Sequence, residues 1–575
     1  MELDPQALYT ARKVWWEHPE VFARDVLGIT LYDKQIEIMN SVRENRITTV
    51  ASCNAAGKTG TAGIIVPWYL LCHDESIVIT TAPTWRQVKD LLWREIATRY
   101  EKAKQRGVEL FPSAPNVVSL QISPNWYAVG VSSKDPTRVM GYHADSGHLL
   151  AIGDEASGIE EGIFGGIDSV LTSSLCRALY IGNPVSGSGR FRESHKPGYL
   201  SNKINISAFD TPNFRANNLK TEDDVIRAIE TNQDLKLPYP QLISPIWVYE
   251  RIKIWGQNSP MYQAKVRARF PDVGENTLIP LSQIEAACTD ERLDKVLGLT
   301  LEDPTPQMSF DQAQKLEREN AAKREQAMKE YISTHNTNRG VDVARFGSDS
   351  TVITPRWGMI VGRQTSLSKL DTMQTAGHIW PLIRNVPTDI TGIDVIGVGG
   401  GVVDRLHELQ REQEARGIGQ WARILGVDVA SAAADVPEGL SQMLFANKRA
   451  ELYWKLRGMF ERGEIYLMPD DNGKPPEDLM AELSALQYEF RGNKIFIEEK
   501  KEMKKRLDGK SPDRADSLML SLQVSGKDGG WFVQESSSAE QTTIIEDDMD
   551  DDEPTGRYED HSDYEFSSSL NDTIY

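Results

Sequence analysis

The sequence predicts an α/β protein with two sheet-and-helix units in series. Three observations carry that expectation. From Ile47 onward, short apolar runs alternate with longer amphipathic stretches, the pattern of a parallel sheet covered by helices. A second region of the same kind begins at Arg339 and ends near Val524. Between them, residues 301–335 are charged and rich in good helix formers, with few large apolar side chains. That composition reads as a solvated helix joining the two units.

Taken in order, residues 1–45 read as a helical lead-in, with Trp15, Trp16 and Phe22 as its aromatics and a turn near Gly28. Examples of the apolar runs of the first unit are ITTVAS (47–52), SIVITTA (76–82), HLLAIGDEA (148–156) and RALYIGNP (177–184). A less regular region, about 205–275, closes that unit. After Gly529 the chain turns Ser-, Asp- and Glu-rich without periodicity, so 525–575 is expected to be a disordered acidic tail.

The chain of 575 residues is long enough for several domains. Its formal charge of -20 argues against a nucleic-acid partner only until its distribution is seen: the tail from Ser525 holds 15 acids and 2 bases, so -13 lies there and -7 in the rest. A mildly acidic body can still carry a local basic groove. Cys53, Cys72, Cys176 and Cys288 are scattered, without zinc or disulfide spacing, and read as reduced thiols. No apolar run approaches the roughly 18 residues of a membrane span. The N-terminus, MELDPQALY, is no secretory signal. The expected location is the cytoplasm.

The first chemical signal is SCNAAGKT (52–59), a phosphate-binding loop between a strand and a helix. Such a loop wraps backbone N–H groups around phosphates at a helix N-terminus. Here Ser52, Asn54, Ala55 and Ala56 supply the loop, and Gly57 lets the backbone approach. Lys58 reaches the β- and γ-phosphates of ATP, and Thr59 holds Mg²⁺. Ser52 stands where the pattern has its first Gly. The second signal is HLLAIGDE (148–155), a strand ending in two carboxylates. Asp154 would bind Mg²⁺ and Glu155 would polarise the attacking water. Gln35, upstream of the loop, is placed to read adenine. Asn183, in YIGNP, is placed to sense the γ-phosphate. Arg138, in a loop before the Asp-Glu strand, is favoured over Arg86 for stabilising charge at the transferring phosphoryl group.

The second unit carries spaced acids. Asp342 lies between valines in RGVDVARFGSDSTV (339–352), the way a ribonuclease-H-like domain begins. Asp394 ends the apolar run in TGIDVIGVGGGVVDRL (391–406), and Asp513 and Asp516 share one helical face in SPDRADSLMLSL (511–522). An aspartate among valines is costly without a cation. Acids from three elements can converge on two Mg²⁺ or Mn²⁺ ions that activate water for phosphodiester cleavage. The basic stretch KKEMKKRLDGK (500–510) is a candidate for DNA phosphates.

Taken in order, Gln35, AAGKT, TAPTWRQV, IGDEA, IGNP, GVDVARFGSD, GVGGGVVDRL and KSPDRADSL resemble the large terminase subunit of tailed bacteriophages, from about Phe22 to about Val524. The resemblance implies a RecA-like P-loop ATPase domain (46–275), a linker with a charged helix (276–338) and a ribonuclease-H-like nuclease domain (339–524). It implies a motor that drives double-stranded viral DNA into a prohead and cuts it. The implied partners are a portal protein, a small terminase subunit and further copies in a ring, commonly a pentamer. Some members carry an arginine inside the phosphate loop; this loop has Asn54 instead, which leaves the source of the arginine open. Two other readings compete: a helicase-type remodeller whose second domain binds without cutting, and a portal-docking subunit with vestigial sites.

Overall fold

The structure, a computed structural model, describes residues 5–108, 111–132, 137–271, 276–305, 308–344, 350–417, 419–433, 445–492 and 494–523. The expected tail, residues 345–349 and the Arg138 side chain lie outside the described residues. The described residues up to Gln523 form one compact unit.

The first sheet has seven strands: β1 (Ile47–Ser52), β2 (Ile77–Ala82), β3 (Ser119–Ser123), β4 (Trp126–Ser132), β5 (Leu149–Asp154), β6 (Arg177–Gly182) and β7 (Asn202–Ile206). Their order is β3-β4-β2-β5-β6-β1-β7, parallel except for β3 against β4. β2 and β5 are buried along their whole length, as strands covered on both faces must be. β6 lies between β1 and β5, pairing Ala51 with Gly182 and Asp154 with Ile181. That register brings the loops after three separate strands to one edge.

The second sheet is mixed. Its strands are β8 (Thr337–Asp342), β9 (Thr351–Trp357), β10 (Ile360–Val361), β11 (Thr365–Leu367), β12 (Ile390–Asp394), β13 (Arg423–Val427) and β14 (Tyr466–Leu467). The order is β13-β12-β8-β9-β10-β14, with β11 on β9. β8, β12 and β13 run parallel, while β9 is antiparallel to β8.

Two glycines decide how this sheet receives the helix Asp513–Leu520. Gly340 and Gly392 face each other across β8 and β12. A Cβ on Gly340 would overlap the Ser517 carbonyl oxygen, and one on Gly392 would sit 2.8 Å from the Leu520 oxygen. The helix backbone therefore lies directly on the sheet. Ser517 pins it there, its hydroxyl within hydrogen-bond distance of the carbonyls of Gly340 and Val352, both at 2.9 Å. Side chains two apart on a strand share a face, so Asp342 and Asp394 follow their glycines toward the start of that helix. Gly340→Ala should cost about 3 kcal/mol, because backbone cannot move aside as a side chain can; denaturant unfolding of the full chain measures it.

The two sheet units share a continuous apolar core. The helix Glu477–Ala485 packs on Pro245–Trp255, Pro260–Lys265 and Leu281–Ala286 on one side and on Asp513–Leu520 on the other. Arg251 of Pro245–Trp255 is ion-paired with Glu477. The charged helix Phe310–Thr334 starts with a Ser309/Gln312 capping box. It is tied down at Glu317 by Lys89 (2.6 Å) and at Arg324 by Asp294 (2.7 Å). All four cysteines are free thiols.

Candidate active sites

The phosphate loop joins β1 to the helix Lys58–Cys72. Ala55 (φ 48°) and Gly57 (φ 81°) both take left-handed backbone to make the turn. The loop is anchored from four directions. Cys53 N–H donates to the Ile206 carbonyl and Asn54 N–H to that of Lys265, both at 2.8 Å. The Ala55 carbonyl accepts from Ile243 N–H (3.0 Å), and that of Ala56 from the Tyr32 hydroxyl (2.7 Å). Ser52 and Asn54 thus serve the loop's own anchoring: the Ser52 carbonyl holds Asn183 Nδ2 at 2.7 Å, and the Asn54 amide is engaged by Lys265.

Lys58 Nζ lies 3.0 Å from Asn183 Oδ1 and 3.1 Å from Glu155 Oε1. Thr59 Oγ1 donates to Asp154 Oδ2 at 2.9 Å. The strand pairing thus brings Lys58, Thr59, Asp154, Glu155 and Asn183 together. Glu155 itself is left-handed (φ 48°), a strained choice for this residue type. The turn is possible because Gly182 stands beneath it, where a Cβ would meet Ala156 N at 2.8 Å. Burial, then the neighbouring Glu155, pushes the Asp154 carboxyl up to about 6, against Lys58 and Thr59. A buried carboxylate beside a hydroxyl is an all-oxygen donor pair, which suits Mg²⁺. Gln35 donates to Thr61 Oγ1 (2.9 Å) and accepts from Tyr32 N–H (3.3 Å), so both ends of its amide are held beside the loop. Arg86 is exposed.

In the second unit, Asp342 ends β8, Asp394 ends the adjacent β12, and Asp513 and Asp516 open the helix Asp513–Leu520. Asp516 is 3% exposed. Its Oδ1 accepts from the Tyr453 hydroxyl (2.6 Å) and from Arg449 (3.4 Å). Its buried Oδ2 is held by Lys500 Nζ at 2.7 Å, and that ammonium stands 4.0 Å from Asp342 Oδ2. Asp513 accepts from Ser350 N–H (2.9 Å), and Asp394 from Ile396 N–H (2.9 Å). Asp342, Asp513, Lys500, Lys501 and Lys504 line an open cavity of about 420 Å³.

Burial raises the carboxyl of Asp342 well above the usual range; Lys500 opposes this, and Asp516, Asp513 and Asp394 add to it. Asp394 is raised as well, mainly by burial. Burial works the same way on Asp516, but Lys500 and Arg449 outweigh it and hold its carboxyl low. Among the described residues, no three His, Cys, Asp or Glu side chains are close enough to hold a metal ion as they stand. The residues nevertheless fit a hard divalent cation. The donors are all carboxylate oxygens, and the surplus of negative charge is met locally by one lysine and one arginine.

Sequence reasoning assigned the stretch around Lys500 to DNA phosphates; the structure places that lysine among the carboxylates. It missed Arg449 and Tyr453, which lie one turn apart on the helix Lys448–Glu461, with the guanidinium 5.1 Å over the ring. The available signal was KRAE (448–451), four residues all buried despite three charges.

No protein-family model matches the chain. The chain is similar to the probable terminase large subunit of Enterobacteria phage P7, at 28% identity over 285 residues, 46% of this chain. It spans about half the length, 51%, of that curated relative. Among solved structures it is similar to the nuclease domain of the large terminase subunit of bacterial virus Sf6, with 19% identity over 43% of this chain and 99% of that one, TM-score 0.31. It is similar to the Thermus phage P74-26 large terminase ATPase domain, with 17% identity, 44% and 99% coverage and a TM-score of 0.31. A large terminase from a thermophilic bacteriophage matches at 10% identity over 86% of this chain and 98% of that one, TM-score 0.34.

Proposed function

We propose that this chain is a genome-packaging motor and nuclease of the phage large-terminase kind. ATP hydrolysis in residues 46–275 drives double-stranded viral DNA through a portal into a prohead, and the acids in residues 339–524 cut concatemeric DNA when packaging starts and ends. Residues 276–338 join the two activities. The observation that carries the reading is the pairing of two polar centres in one compact body. One is a phosphate loop facing an Asp-Glu strand end; the other is a carboxylate cluster at the ends of β8 and β12.

In the first centre, amides from Ala55 to Thr59 and the Lys58 ammonium would hold the phosphates, and Gln35 would exchange its present bonds for adenine. Thr59 and Asp154 would hold Mg²⁺. Glu155 would orient the attacking water, Asn183 would relay loss of the γ-phosphate, and Arg138 would stabilise the transferring phosphoryl group. In the second centre, Asp342, Asp394, Asp513 and Asp516 would hold Mg²⁺ or Mn²⁺, which supplies an activated water and stabilises the leaving oxygen. Lys501 and Lys504 would meet DNA phosphates. The implied partners are the portal protein, a small terminase subunit and further copies of this chain in a ring, commonly five, in the host cytoplasm. Among the described residues no helix is long and apolar enough to cross a membrane.

The test is to assay one preparation for ATP hydrolysis with and without DNA, and for plasmid cleavage in Mn²⁺. Both activities are expected. DNA-stimulated hydrolysis without any cleavage would favour a remodelling ATPase whose second domain only binds.

A further inference from the structure

We propose that Glu482 is a positioning residue for Asp513 and Asp516, holding the helix that carries them from outside the cavity. The proposal rests on the cleavage reading above. The first turn of any helix leaves N–H groups without intrahelical partners. Asp513–Leu520 follows Pro512, which provides no side-chain cap. The N–H of Ala515, between the two acids, instead donates to Glu482 Oε2 at 2.8 Å. Glu482 belongs to a different helix, Glu477–Ala485, and is not among the residues that line the cavity.

That second helix is fixed at both ends. Glu477 is ion-paired with Arg251 of the first unit. The Ala485 carbonyl accepts from Arg506 Nε (3.1 Å) and Nη2 (2.9 Å). Leu479, Met480, Ala481 and Leu483 are buried between. Glu482 therefore reaches Ala515 from a packed helix, and its oxygen meets the acid helix where that helix begins. Carboxylates that orient the ligands of a metal without touching it change metal affinity by about 10- to 100-fold when removed.

The experiment uses the full chain without nucleotide and Mn²⁺ as the probe. Free Mn²⁺ is followed by electron paramagnetic resonance, with the Asp342→Asn protein as the reference for other sites, and plasmid cleavage is followed across the same titration. Glu482→Ala should raise the Mn²⁺ needed for half-binding about tenfold. Its half-saturating Mn²⁺ for cleavage should rise equally, with the rate at saturating Mn²⁺ nearly kept. Glu482→Gln, which retains an acceptor for Ala515, should stay close to wild type in both. Thermal melts separate an unfolded variant from a mispositioned one; if the Ala variant does not fold, Glu482→Asp, which draws the acceptor back by one methylene, carries the test and should show the same rise in Mn²⁺ requirement, and an Asp variant like wild type in both readouts overturns the proposal. The proposal is overturned if Glu482→Ala binds Mn²⁺ and cleaves as wild type does. It is also overturned if both variants lose the saturating rate with no change in Mn²⁺ requirement. Wild-type protein that neither cleaves nor binds more Mn²⁺ than Asp342→Asn would overturn the cleavage reading itself.

Discussion

Asp342→Asn is expected to lower Mn²⁺-dependent DNA cleavage by about a thousandfold, the scale of losing several kcal/mol of metal-borne charge stabilisation. Asn has the shape of Asp, so packing at the end of β8 is kept. What goes is a charge on a side chain 7% exposed that shares Lys500 with Asp516. ATP hydrolysis should be unchanged, because the phosphate loop is anchored by Tyr32, Ile206, Ile243 and Lys265, none of which lies on β8. Rates of plasmid nicking and of phosphate release from the same preparation give both answers. Cleavage at the wild-type rate would remove Asp342 from the reaction.

Lys58→Ala has the converse expectation. ATP hydrolysis should fall by about a hundred- to a thousandfold, the usual cost of removing one preorganised charge from a reacting centre. The ammonium is the group that Glu155 and Asn183 share, at 3.1 and 3.0 Å. Its removal also leaves Asp154 and Glu155 adjacent with no counter-charge from the loop. Plasmid cleavage in Mn²⁺ without nucleotide should persist, since Asp342, Asp394 and Asp516 make no contact with Lys58. A parallel loss of cleavage, in protein that melts normally, would mean the two centres are one.

β1, β2, β5 and β6 were legible because each is a short apolar run between polar stretches, whereas β3, β4 and β7 were not named from the sequence; Asp154 and Glu155 stood out at the end of such a run, and Lys58 and Thr59 at the start of the helix after the loop. Asp342 and Asp394 stood out as charges within β-branched runs. Their glycine partners were present in the same strings, as GVD and GID, but meaning came only with the register that sets Gly340 against Gly392 under one helix. Lys500, Arg449, Tyr453 and Glu482 reach Asp516 and Ala515 from three other helices, and no local spacing encodes such convergence. The anchoring of Asn54 by Lys265 is a backbone contact between residues about two hundred positions apart, so side-chain identity could not announce it. Gln35 lies beside the loop, and its bond to Thr61 depends on a helix packing that periodicity does not specify.

The central claim is that carboxylates from β8, β12 and the helix Asp513–Leu520 make one cation site. The most direct measurement is anomalous diffraction from a crystal soaked in Mn²⁺. The account predicts manganese peaks bounded by Asp342, Asp394 and Asp516, with the Lys500 ammonium displaced from Asp516. Peaks elsewhere only, with Lys500 still paired to Asp516 at saturating Mn²⁺, would contradict it.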